Sequence, residues 1–138
     1  MRILFALLLL VVARLAVADV ALEKPWARAT PPNSKVGVVY VTMRSTVADE
    51  IISLSSPAAD RVEVHTTVNE GGTMKMRPTT SLALPPNETV AFQSGGTHIM
   101  LIGLRAPLVA GEHIELTVQL RAAGRQTIRV PVLAPTDE

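Results

Sequence analysis

The chain is 138 residues long, about the size of one domain, and contains no cysteine. That composition excludes disulfides, thiolate metal sites, thiol redox chemistry and a lipidated N-terminal cysteine. The formal net charge is +1, and without the apolar leader described next 11 basic residues face 12 acidic ones, so neither nucleic acid nor an anionic membrane surface is indicated as a partner.

The chain opens with Met1-Arg2, continues with an unbroken apolar run from Ile3 to Val12, and reaches Ala16-Val17-Ala18. A positive start, an apolar stretch and a small-residue end predict a secretory signal peptide over residues 1–18, cleaved before Asp19. A membrane-spanning helix needs about 20 apolar residues, and Arg14 interrupts this one earlier. No other stretch reaches spanning length, so the expected product is a periplasmic protein of residues 19–138 without stable membrane insertion.

Beyond the leader, Val, Ile and Thr supply 33 of 120 residues, and every Pro and Gly of the chain lies there. Branched residues favour a pleated surface, and Pro and Gly punctuate it. Pro25 to Ser34 reads as an irregular lead-in whose Trp26 plugs one end of the core. Strands are predicted at Val36–Met43, Glu50–Leu54, Arg61–Val68, Met74–Arg77, Thr89–Gln93, His98–Ile102, His113–Leu120 and Gln126–Val132. Short strands at this spacing predict a single all-β domain, an antiparallel sandwich or barrel. The clearest strand alternates Ile114, Leu116, Val118 and Leu120 with His113, Glu115, Thr117 and Gln119, a half-buried pattern with a wet outer face.

No Ser-His-Asp order, glycine-rich phosphate loop or recognisable carboxylate pair is present, so catalysis is not indicated. The histidines and methionines carry more information. Five of the seven beyond the leader fall between positions 65 and 100: His65, Met74, Met76, His98 and Met100. Strand alternation sends His98 and Met100 to one face, and Met74 and Met76 to one face of theirs. Thioether sulfur is a soft, neutral donor suited to Cu(I), and imidazole is compatible with it. Two His and two Met would hold Cu(I) without a charged ligand, and no disulfide could inactivate such a set. Each piece also has a bland reading. Methionine on a strand commonly fills gaps in a core, a single histidine commonly lies at the surface, and Zn(II) at the histidines stays open. His65 shares a face with Glu63 and Thr67, opposite Val62 and Val64. His113 reads as solvent-facing and Met43 as core.

The spacing goes further than the composition. His65, ten residues, Met76, twenty-one residues, His98, one residue and Met100 resembles the signature of the PCuAC family of periplasmic copper chaperones. The surroundings match as well: Trp26-Ala27-Arg28-Ala29-Thr30-Pro31-Pro32, Val64-His65, Met74-Lys75-Met76-Arg77-Pro78, and Gly95-Gly96-Thr97-His98-Ile99-Met100-Leu101-Ile102-Gly103-Leu104. The likeness runs from about residue 22 to about 133. It implies a cupredoxin-like antiparallel β-sandwich of Greek-key type, with His65, Met76, His98 and Met100 as ligands of one Cu(I) per chain. It also implies delivery of copper to the apo CuA domain of cytochrome c oxidase or to other copper-assembly proteins. Met74 is the neighbour whose part stays open, as a supporting or alternative donor. The chain ends Leu133-Ala134-Pro135-Thr136-Asp137-Glu138, without the His- and Met-rich tail of some members. Ligand exchange with an acceptor requires an exposed site, expected at one end of the sandwich. The alternatives are a copper buffer or resistance protein with no dedicated acceptor, and a metal-free β-sandwich interaction module.

Overall fold

The computed structural model describes residues 19–79 and 81–136, so the expected signal peptide at 1–18 lies outside the described residues. Ten strands follow in chain order: β1 Val20–Arg28, β2 Val36–Ser45, β3 Asp49–Ser55, β4 Ala59–Glu70, β5 Thr73–Thr79, β6 Leu82–Leu84, β7 Thr89–Phe92, β8 His98–Leu104, β9 His113–Leu120 and β10 Gly124–Leu133. The described residues contain no helix. Hydrogen bonding links the strands in the order β5-β4-β8-β2-β1-β10-β9-β3-β6, and β7 pairs with β2 off this path.

The path folds over on itself because each half has one apolar face. Val39, Val41, Met43, Val62, Val64, Ile99 and Leu101 of the first half share a core with Ile51, Leu84, Leu116, Val118, Leu120, Val130 and Val132 of the second. The halves are joined through β1 and β10, paired in parallel over only Ala27↔Val132 and Arg28↔Leu133. Every other ladder between these strands is antiparallel. The all-β sandwich is thus as expected, with one parallel junction added. Met43 is fully buried, and His113 and Glu115 are exposed while Leu116, Val118 and Leu120 are buried, as the alternation predicts.

Two elements escaped the sequence pattern. Pro25 suggested an irregular segment, yet β1 runs through it. The β1–β2 register shifts between Glu23 and Trp26, and Lys24 there takes a φ of 51°. Proline lacks an N–H, and a bulge is where a ladder can spare one. Trp26 does not plug the core: alternation turns its neighbour Ala27 inward, fully buried, and leaves the indole half-buried on the opposite face. Strand β6 is three residues long, too short for a periodic signal, though Leu84 is buried and the strand pairs with Asp49–Ile51.

Candidate metal centre

In an antiparallel ladder, directly opposed residues project to the same face. The β4–β8 ladder sets His65 opposite His98 and Glu63 opposite Met100. Val62, Val64, Ile99 and Leu101 point inward and are buried, so His65, His98 and Met100 face outward. The β4–β5 ladder sets Met76 opposite Thr67 and Met74 opposite Asn69, on the same outward face. Pro78 is the residue directly opposite His65 on β5, which makes Met76 its diagonal neighbour, as Met100 is on β8. Diagonal neighbours lie roughly 7–8 Å apart, within reach of long side chains. The fold therefore gathers His65, Met76, His98 and Met100 on one face, with His65 adjoining the other three.

The set lies on the outer face of the first half, where β4 passes its last buried residue, Val64, and β8 begins. No residue of β4 after Val64 is buried, and β5 is exposed along nearly its whole length, so the β4–β5 hairpin extends as an arm past the core. Met76 is 44% exposed and Met74 63%. The edge strand β5, with only one partner, supplies Met76, and the inner strands β4 and β8 supply the two imidazoles and the Met100 thioether.

The two imidazoles have different surroundings. His98 is half-buried, and its Nδ1 is enclosed without a hydrogen-bond partner among the described residues. Burial pushes its pKa below the usual imidazole value, and the neighbouring His65 and Arg28 side chains act in the same direction. An aromatic wall lies beside it. The buried Tyr40 ring stands edge-on to His98 at 6.0 Å and packs on Trp26 at 4.6 Å, with the Arg28 guanidinium 5.9 Å over the Tyr40 ring. The His65 side chain is only 19% exposed, and its Nε2 lies 2.9 Å from Glu63 Oε2. Glu63 Oε1 in turn accepts from Arg61 Nε at 2.9 Å. The hydrogen bond to His65, then that to Arg61, holds the Glu63 carboxyl below its ordinary range.

Among the described residues no cluster of three or more His, Asp or Glu is arranged to hold an ion. What the outward face offers is two imidazoles and thioethers, neutral donors of a soft-to-borderline kind that suit soft cations better than hard ones. A surface depression of about 680 Å³ lies along β9 and β10 beside His113, Glu115 and Arg129. None of the four candidates borders it, and shallow volume is a poorer guide to metal chemistry than converging donors. The sequence placed Glu63 on the face of His65 without assigning it a part. Trp26, Arg28 and Tyr40 come from β1 and β2, and nothing local in the sequence ties them to His98.

This fold and outward face define an all-β, cupredoxin-like domain of the PCuAC kind. The copper-bound PCuAC domain from PmoF2 is 25% identical and superposes with a TM-score of 0.72, covering 87% of this chain and 97% of that one. The Cu(I) form of DR1885 from Deinococcus radiodurans, in solution, is 26% identical with a TM-score of 0.61, over 79% of this chain and 74% of that one. The chain belongs to the LpqE-like family, whose model, "Putative lipoprotein LpqE-like", matches residues 20–132. Among sequence relatives, "Putative lipoprotein Lxx21020" of Leifsonia xyli subsp. xyli is 30% identical over 114 residues, 82% of this chain and 69% of the relative. "Uncharacterized protein RP573" of Rickettsia prowazekii is 32% identical over 108 residues, 74% of this chain and 60% of the relative.

Proposed function

We propose that this protein is an exported copper chaperone that holds one Cu(I) at His65, Met76, His98 and Met100 and passes it to an acceptor. The apo CuA centre of cytochrome c oxidase is the acceptor this reading favours, and the periplasm, after cleavage of residues 1–18, is the compartment. The observation that carries the reading is the convergence of two imidazoles and two thioethers on one outward face, around His65. The copper-bound PCuAC neighbours, and the lipoprotein names of the family model and of the Leifsonia xyli relative, support it.

The donor set suggests how transfer proceeds. Each ligand is neutral and can be displaced singly by a ligand of the acceptor, so copper moves without becoming a free ion. Thiolates on the acceptor bind Cu(I) more strongly and draw the exchange forward. Met76, on an exposed edge strand, is the donor an acceptor reaches with least rearrangement. The protein acts here as a carrier, with no substrate converted.

The test is an anaerobic Cu(I) titration of residues 19–138 against a competing chelator, followed by mixing with an apo CuA domain. A one-to-one endpoint and transfer are expected; an endpoint without transfer would mark a copper buffer, and no binding an interaction module. Met76→Ala should weaken binding at least tenfold, whereas Met43→Leu, a nearly volume-conserving change in the core, should leave it unchanged. Equal effects would mean the ligands are misassigned. Affinity should be level above pH 7 and fall below about pH 6, where protons begin to compete for imidazoles with a reference pKa of roughly 6.5. The lowered pKa of His98 delays that competition at its own ring. A titration level from pH 8 to pH 5 would exclude histidine ligation.

A further inference from the structure

We propose that Glu63 is a positioning residue for His65, fixing the ring with its proton on Nε2 so that Nδ1 is the nitrogen presented to copper. The proposal rests on the copper-carrier reading of the same site and assigns one part of its geometry.

Arg61, Glu63 and His65 follow one another at spacing two on β4, so all three project from the outward face. One Glu63 oxygen meets His65 Nε2 at 2.9 Å, and the other meets Arg61 Nε at the same distance. An ionised carboxylate can only accept, so the hydrogen of the first contact belongs to Nε2. A neutral imidazole carries a single ring proton, which leaves Nδ1 with its lone pair free. Arg61 holds the carboxylate from its far side and keeps it from turning away.

The arrangement is specific to one of the two histidines. His98 has no carboxylate partner, and its Nδ1 has no hydrogen bond among the described residues. One imidazole is therefore fixed in tautomer and rotation before copper arrives, while packing alone holds the other. Hydrogen bonding from a metal-binding histidine to a carboxylate orients the ring and raises its basicity, and losing such a partner typically weakens metal binding about 10–100-fold. Two contributions are conceivable, the negative charge of Glu63 and its orienting bond. Arg61 compensates the charge at close range, so orientation is the contribution that remains.

This separates two substitutions. Glu63→Gln keeps an oxygen that can accept from Nε2–H and removes the charge; Glu63→Ala removes both. Long-range proton–nitrogen correlation spectra of the metal-free, histidine-labelled protein at pH 8 read the tautomer directly. His65 should carry its proton on Nε2 in the wild type and in Glu63→Gln, and populate both tautomers in Glu63→Ala. In the anaerobic Cu(I) competition, Glu63→Ala should bind about 10–100-fold more weakly and Glu63→Gln within a few-fold of wild type. An Nδ1–H tautomer in the wild type would overturn the proposal, as would unchanged affinity in Glu63→Ala or equal losses in both variants. If wild-type protein binds no Cu(I), the carrier reading falls, while the tautomer, measured without metal, still decides whether Glu63 fixes His65.

Discussion

His98→Ala is expected to weaken Cu(I) binding by more than about a hundredfold, beyond the range typical of losing a group that only supports a ligand. The reason is geometric as well as chemical. His98 stands directly opposite His65 in the β4–β8 ladder, and the remaining histidine, His113, is exposed on the second half of the sandwich. No other imidazole can replace it. Burial and the neighbouring His65 and Arg28 side chains favour the neutral ring, the form that binds metal. The substitution should leave the fold intact, because it removes a half-buried outward ring and a polar atom without a hydrogen bond, not part of the inner packing. Competition titration and thermal unfolding, run side by side with His113→Ala, test both halves of the expectation. Retained affinity in His98→Ala, or an equal loss in His113→Ala, would remove His98 from the ligand set.

The second large effect concerns the fold. Asp49→Ala should cost about 2–4 kcal/mol of stability at pH 7, since three part-buried backbone N–H groups lose a charged acceptor at once. Asp49 opens β3 and is buried. Its Oδ1 accepts from Glu50 N and Ala122 N at 2.8 Å each, and its Oδ2 from Ala123 N at 3.0 Å. The last two belong to the turn joining β9 to β10, so one carboxylate ties that turn to the neighbouring strand. Burial pushes the carboxyl pKa up, but the backbone donors outweigh it and hold it below the ordinary value. The folded form therefore binds this proton more weakly than the unfolded form. The stabilisation is fully present above the unfolded pKa of about 3.9 and is lost as pH falls through the lower folded value. Urea unfolding of wild type and Asp49→Ala should thus converge toward pH 2–3 and separate by pH 6. A constant gap across that range would show that the carboxylate's charge is not what holds the turn.

Alternation made much of this legible. It placed Met43 inside, His113 outside, and the His98/Met100 and Met74/Met76 pairs each on one face, because period two is a property of any strand. What it could not supply was register. That His65 opposes His98 rather than Met100 depends on how β4 and β8 slide against each other, which the core residues Val62, Val64, Ile99 and Leu101 decide jointly. The family spacing groups the four candidates without locating them on the strands. Only the paired strands reveal that β4 and β5 run on beyond the core. Pro25 obscures in the sequence the strand that carries Trp26, and with it the aromatic wall that Trp26 builds with Tyr40.

The exposure of β5 has a chemical consequence of its own. A thioether open to solvent is open to peroxide, and adding one oxygen gives a sulfoxide, a polar group that no longer presents a soft sulfur donor. Met74 and Met76 are in that position, whereas Met43 is sealed. A chain without thiols has not escaped oxidation; the vulnerable point has moved from a cross-link between two cysteines to a single atom on an edge strand. Methionine sulfoxide is reversible by dedicated reductases. On the carrier reading proposed above, peroxide should therefore lower Cu(I) affinity through the arm while leaving the sandwich behind it folded.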